Sequence, residues 1–269
     1  MDMVAPRLVC GLGNRLFQTV AAIRAAEVAG AEPVFFLPRM SRAEHGNFET
    51  LLKLFPNIRI IETALEWTEV KEEEENWCLP LLNKSPLTVL SGFFQNTDYF
   101  PTLTNKYLPS IPSVQIHTDR WAIHFRFGDY QILPHYHIGL GKYYYKTIKD
   151  NIPYNSSICL FSDSSDRLPA IADELQSFGY RVEIYENSDA IETFKAFSSC
   201  SAGSICSNST FSWWAAYFAW KQAGSHYKAF FPDRWILNHT TRLFTLPFTQ
   251  SVCLDKIPAF PSLNSFSHY

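Results

Sequence analysis

Short apolar runs alternate with helix-length segments along nearly the whole chain. This alternation confines the fold to α/β with parallel sheets, because a strand followed by a helix returns to lie parallel beside its neighbour. Strands are expected near 6–10, 33–37, 58–61, 87–91, 120–127, 158–162, 181–185, 203–207 and 228–231. Helices are expected near 14–29, 48–55, 143–150, 166–178, 188–199 and 210–222. The proline-punctuated segment Pro101 to Pro112 reads as a connection between halves. It divides the chain into an N-terminal α/β domain (1–112), a C-terminal Rossmann-like domain (113–247) and a tail (248–269).

Residues 206–218, CSNSTFSWWAAYF, run a cluster of hydroxyl and amide side chains into an aromatic, alanine-rich helix. Asn208, Ser209 and Thr210 stand where a helix begins, with Phe211 in its first turn. The N–H groups of a first turn have no intrahelical acceptor and carry the positive end of the helix dipole, so such a start suits a phosphate. An ordinary capped core helix would use the same residue types.

Residues 121–130, WAIHFRFGDY, end an apolar run in Gly-Asp and place His124 and Arg126 two residues apart. On a strand that spacing puts both on one face, with Phe125 and Phe127 on the other, toward a core. Gly128 lets the chain leave the sheet and exposes Asp129. The planar fork of Arg126 matches a pyrophosphate, although a plain Arg–Asp pair at a strand end would show the same residues.

Near the N-terminus, VCGLGNRLFQTVAAIRAAEVAG reads as strand, glycine turn and helix, with Gly11 and Gly13 allowing close backbone approach and Asn14 placed to cap or to meet a ligand. The third glycine of the dinucleotide fingerprint is missing, which argues against a nicotinamide or flavin cofactor.

Composition narrows the classes further. The 269 residues are 46% hydrophobic with a formal net charge of -3, and without a basic stripe nucleic acid is not an expected partner. The acidic run Glu72 to Glu75 reads as a solvated surface. Six cysteines (10, 78, 159, 200, 206 and 253) lack zinc spacing and are expected reduced and mostly buried. There is no Asp-x-Asp sequence, and His135 and His137 have no acidic or cysteine partner nearby, so no metal is expected. The uncharged stretch from Ala196 to Trp220 is long enough for a membrane span but rich in Ser, Asn and Thr, and reads as soluble core. With no secretory signal or anchor evident, a cytoplasmic protein is expected.

Six segments together resemble the α-1,2-fucosyltransferase family, inverting enzymes that move L-fucose from GDP-fucose to the 2-hydroxyl of a galactose-like sugar. They are GLGNRLFQ (11–18), GFFQNTDYF (92–100), HFRFGDY (124–130), LFSDS (160–164), NSTFSWWAAY (208–217) and FPDRW (231–235), in the family's order. The resemblance implies a GT-B arrangement of two facing Rossmann-like domains, a GDP-sugar donor held by the C-terminal half, a glycan acceptor on the N-terminal side, and no metal or other cofactor. It assigns Arg126 to the donor β-phosphate and leaving group, His124 to the nucleotide, and Asp129 to the carboxylate that closes the motif. Asn14 is assigned to the neighbourhood of the donor and reacting sugar. Ser209 and Thr210, with Asn208, fall at the phosphate-binding helix start, and Asp163 at a strand end facing the guanine.

One departure stands out. The family carries two consecutive arginines where this chain has Arg126 and then Phe127. Alternation sends position 127 to the core, so the first arginine is undisturbed. Lys142 or Arg15 would be substitute cations, and a different GDP-sugar or a homologue without turnover would be the rival readings. Trp67, Tyr99 and Tyr136 are the aromatic candidates for stacking on an acceptor sugar, whose identity the sequence leaves open, as it does the oligomeric state.

Overall fold

A computed structural model describes residues 2–39, 48–63, 66–72, 85–128, 139–236, 239–240 and 246–257. It divides into two compact units, Met1–Ser110 and Ile111–Tyr269.

The first unit contains strands β1 (Met3–Pro6), β2 (Glu32–Phe36), β3 (Arg59–Ile61), β4 (Thr68–Lys71) and β5 (Leu87–Ser91), with helices α1 (Leu12–Ala29) and α2 (Phe48–Leu54). The strands form one parallel sheet in the order β3-β2-β1-β5-β4. Val4 and Leu90 pack with Ala21, Ala22, Ala25 and Ala26 of α1 on one face, while Ala5, Val34, Phe36 and Val89 form a core on the other. Alternate residues of β1 thus feed opposite cores, as a sheet covered on both faces requires.

The second unit contains β6 (Arg120–Phe125), β7 (Ser157–Ser162), β8 (Arg181–Ile184), β9 (Gly203–Ile205), β10 (Ala229–Pro232), a short hairpin of β11 (Arg234–Ile236) and β12 (His239–Thr240), and β13 (Thr249–Val252). Its helices are α3 (Gly141–Asn151), α4 (Leu168–Ser177), α5 (Ala190–Ser199) and α6 (Thr210–Ala223). Six strands make a parallel sheet in the order β13-β10-β9-β6-β7-β8. The chain builds outward from β6 through β7 and β8, then returns to β6's other side with β9. This is the doubly wound Rossmann pattern, and it opens a crevice at the carboxyl ends of β6 and β9.

Ile123 and Phe125 of β6 pack with Ile158 and Leu160 of β7 beneath Tyr143, Tyr144 and Ile148 of α3 and Ile171 and Leu175 of α4. On the opposite face, Phe161 of β7 meets Phe197 of α5 at 5.1 Å, and Phe194 of α5 stacks on Phe211 of α6 at 4.5 Å. The two helix layers sort the β6 side chains by parity, odd numbers to α3 and α4 and even numbers to α5 and α6. The long uncharged stretch ending at Trp220 is divided among α5, β9 and α6, because Gly203 and the polar run Ser207–Thr210 break it. Among the described residues no helix is long and apolar enough to cross a membrane.

Two differences from the sequence expectation have physical causes. The first strand ends at Pro6, and residues 7–10 are not part of it. The Arg7 N–H still donates to the Leu90 carbonyl of β5, but at the next positions the Val9 N–H donates to Gln18 Oε1, the Cys10 carbonyl accepts from Arg15 Nε, and Cys10 has φ 62°, so at 9 and 10 helix side chains satisfy the backbone in place of a sheet neighbour. The edge strands β4 and β13, TEVK and TQSV, stand where the sequence pattern marks no strand. Each has one apolar residue, as suits strands with one side in solvent.

Of the cysteines, Cys159, Cys200 and Cys206 are buried and Cys10 and Cys253 half-buried, all as free thiols; Cys78 lies outside the described residues.

Candidate active site

The crevice at the ends of β6 and β9 receives two of the motifs singled out in the sequence. His124, near the end of β6, pairs in register with Phe161 of β7, and is 4% exposed. Its even position turns it toward α6, where Nδ1 lies 2.6 Å from Ser212 Oγ and the ring packs on Phe211 at 5.7 Å. Its carbonyl accepts from the Tyr144 hydroxyl of α3 at 2.8 Å. Burial, reinforced by the charge of Arg126, lowers its pKa to about 3. The imidazole is therefore neutral near pH 7, and it is too weak a base to take a proton from a sugar hydroxyl. Its place in the site is as a buried link between β6 and the start of α6.

Arg126 follows β6 and is half-buried. Its Nη1 lies 2.6 Å from Asp163 Oδ2. The other carboxylate oxygen, Oδ1, accepts the Phe127 N–H at 2.8 Å. Asp163, at the end of β7, therefore holds both the side chain of Arg126 and the backbone just after it. The family resemblance assigns Asp163 to the guanine side and the carboxylate that closes the arginine motif to Asp129; among the described residues Asp163 also makes an orienting contact to Arg126. Asp129, with Tyr136, His135 and His137, lies outside the described residues. Gly128 is required by this packing, since a Cβ there would collide with Asp163 Oδ2.

Phe127 is 3% exposed and stacks on Phe125 at 5.8 Å, in the core where alternation places it. The guanidinium of Arg167, in the turn Ser165–Arg167 after β7, lies 5.6 Å from the Phe127 ring. A second arginine thus approaches this strand end from a different element, and no local pattern in the sequence announces it. Of the cations proposed from sequence, Lys142 is exposed on α3. Arg15 is buried at 2% exposure in the first unit, where it donates to the Cys10 carbonyl and burial lowers its pKa.

Helix α6 starts at Thr210 with Ser209 as N-cap residue, and no side chain caps it. Thr210, Phe211 and Ser212 thus begin a helix whose first-turn N–H groups are open to an anionic guest. Asn208 serves the fold beside this start: its Nδ2 donates to the Trp235 carbonyl at 2.9 Å, and its Oδ1 accepts from Ser207 Oγ at 3.0 Å. It ties the helix start to the FPDRW segment and is 2% exposed. Among the described residues no group of three or more His, Cys, Asp or Glu side chains is placed to hold a metal ion.

In the first unit, Gly13 is buried in the opening turn of α1. Asn14 does not cap the helix; Gly11 holds that position. The Asn14 Oδ1 instead accepts from Gln95 Nε2 at 2.8 Å, joining the segments that follow β1 and β5. This pair also sits at a switch point, since β1 and β5 are neighbours while β2 and β3 extend to the other side.

The second unit is thus a doubly wound α/β sheet with an arginine and an uncapped helix start near its switch point, and the first unit is a second parallel α/β sheet. Residues 88–227 match glycosyl transferase family 11. That is just over half of the 269-residue chain, and the protein belongs to this family, the α-1,2-fucosyltransferase family. It is a glycosyltransferase, and the family works between a nucleotide-sugar donor and a glycan acceptor. No curated protein matches the chain.

Proposed function

We propose that this protein transfers L-fucose from GDP-β-L-fucose to the 2-hydroxyl of a galactose-like acceptor, with inversion and without a metal. The observation that carries the reading is the meeting of Arg126, fixed by Asp163, with the uncapped start of α6 at the β6–β9 switch point. Cleavage of the bond between the anomeric carbon and the phosphate builds negative charge on the departing diphosphate and positive charge on the sugar ring. A guanidinium and a helix N-terminus meet the first of these where it develops, with no reorganisation needed at that moment. Attack by the acceptor hydroxyl from the opposite side of the ring forms the new glycosidic bond as the bond to phosphate breaks, inverts the anomeric centre and releases GDP, the hydroxyl proton passing to the departing diphosphate or to water. The neutral, buried His124 shapes this site and does not act as its base.

Calorimetric titration with GDP-fucose, GDP-mannose, GDP and UDP, repeated on Arg126→Ala, tests the reading. Binding of the GDP ligands with preference for GDP-fucose is expected, with loss of donor affinity and of transfer in the variant. GDP binding without a fucose preference would favour another GDP-sugar, the reading that Phe127 keeps open. A folded protein that binds none of the GDP ligands would overturn both.

A further inference from the structure

We propose that Phe93 is the platform on which the acceptor sugar stacks, flanked by the amide pair Asn14–Gln95. Of the stacking candidates read from sequence, Trp67 packs on Phe36 and lies under the Arg39 guanidinium at 4.2 Å, and Tyr99 is 8% exposed against Phe94. Phe93 is 49% exposed. It sits in the turn that follows β5, a strand inside the sheet between β1 and β4, two residues before Gln95.

That turn is held from three sides. The Glu72 carboxylate, whose acidic run reads in the sequence as mere solvated surface, accepts the N–H groups of both Phe93 and Phe94 on Oε2, at 2.8 and 2.9 Å. Gln18, buried in α1, donates to the Gly92 carbonyl at 3.1 Å. Phe94 anchors its ring in the core at 1% exposure while its backbone adopts φ 52°, a left-handed conformation costly for a non-glycine residue. Gly92 is needed because a Cβ there would stand 2.6 Å from Glu72 Oε2. A strained, clamped turn that buries one phenylalanine leaves its neighbour outside, so the ring is presented in advance of any ligand.

The chemistry beside it suits a sugar. Gln95 Nε2 is used on Asn14 Oδ1, and among the described residues the Asn14 Nδ2 and Gln95 Oε1 have no protein partner. They offer a donor and an acceptor, which a sugar hydroxyl can satisfy at once. One face of a galactose-type pyranose is lined with C–H bonds, whose partial positive charge is drawn to the negative face of an aromatic ring. Ring and amides together recognise a neutral pyranose, and nothing in the set favours a charged ligand. The inference deepens the proposed function by naming where the acceptor binds, and rests on it for the identity of that sugar.

The test is saturation-transfer NMR and titration with methyl β-galactoside in the presence of GDP, on the wild type, Phe93→Ala and Phe93→Trp, with GDP-fucose affinity measured in parallel. Expected are saturation of the C–H protons of one sugar face in the wild type, a roughly tenfold rise in sugar Kd in Phe93→Ala, recovery in Phe93→Trp, and unchanged donor affinity. Equal sugar affinity in all three proteins would overturn the inference, as would a wild type that binds GDP-fucose but not the sugar. Sugar binding that depends on Phe93 in a protein that fails to bind GDP-fucose would sustain the platform while removing the donor reading. Phe93 is exposed, so truncation leaves the core intact, and an unchanged Tm checks this.

Discussion

Asp163 accepts the guanidinium of Arg126 on one carboxylate oxygen, 2.6 Å away, and the N–H of Phe127 on the other, 2.8 Å away. One side chain at the end of β7 thereby fixes both the direction of a cation and the backbone from which it projects. In Asp163→Ala that cation loses this contact, and because a displacement of about 1 Å costs up to about a hundredfold in rate, turnover should fall by roughly ten- to a hundredfold. The fall is expected mainly in kcat, measured by single-turnover fucosyl transfer at saturating donor. An unchanged kcat would show that Arg126 keeps its position without this carboxylate.

Gly128→Ala attacks the same contact from the other side. The added Cβ meets Asp163 Oδ2 and must push the carboxylate away from Arg126. The rate loss should approach that of Asp163→Ala, and the double variant Gly128→Ala/Asp163→Ala should be little worse than either single one, because both act through one contact. Full additivity in the double-mutant cycle would place the effect of Gly128 elsewhere, in the backbone of the turn itself.

The strands and helices that build both cores are legible in the sequence because their side chains report periodicity directly; the alternation of Phe125, Arg126 and Phe127 is an example. The motif residues that lie on one element are legible too: Arg126 and Ser209 each sit where the local pattern puts them. What escapes are partnerships across elements. Asp163 on Arg126, Arg167 against Phe127, and Glu72 on the Phe93–Phe94 turn span 37, 40 and 21 or 22 positions of sequence. They exist only because parallel crossovers bring the ends of different strands together, and a lone carboxylate or arginine carries no mark of the partner it will find. Strands β4 and β13 escape because an edge strand needs only one apolar face and can be short.

His124 makes stability depend on pH with a sign that follows from its burial. Its pKa is about 3 in the folded protein, against an ordinary value of 6.5. Between those values the unfolded chain binds a proton that the folded one refuses, so stability falls as pH drops from 6.5 toward 3, with a slope approaching about 1.4 kcal/mol per pH unit for this group. Urea unfolding of the wild type and His124→Asn across pH 7 to 4 should show a steeper decline in the wild type. Parallel curves would mean that the imidazole gains solvent or a proton in the fold.

Glu27 gives the opposite kind of case, a carboxylate that folding makes more acidic. Although desolvation acts upward, hydrogen bonds from Thr102, Asn105 and Arg24 bring its pKa down to about 2, and they pin the segment after Phe100 to α1. Its contribution is present above the ordinary value of 4.5 and is lost as pH falls toward 2. Glu27→Gln should therefore unfold at lower urea than the wild type at pH 7, and the gap should narrow as pH drops below 4.5. A gap that stays constant with pH would assign the effect to lost hydrogen-bond geometry alone.

Phe127→Arg restores the paired arginines that the family resemblance leads one to expect, and the packing around position 127 opposes them. Phe127 is 3% exposed, its ring stacks on Phe125 at 5.8 Å, and the Arg167 guanidinium already lies 5.6 Å from it. A second guanidinium at 127 would be buried, and Asp163, the carboxylate that meets the backbone there, is already engaged by Arg126 and by the Phe127 N–H. It would also face the like charge of Arg167. The expected cost is about 3 kcal/mol or more in unfolding free energy, with no gain in affinity for GDP-fucose. Arg167→Ala is the complementary variant and should weaken donor binding while leaving the core packed, if the turn after β7 supplies the second charge. A Phe127→Arg protein that kept wild-type stability and bound donor more tightly would show instead that the side chain at 127 turns outward, to the face that Arg126 occupies.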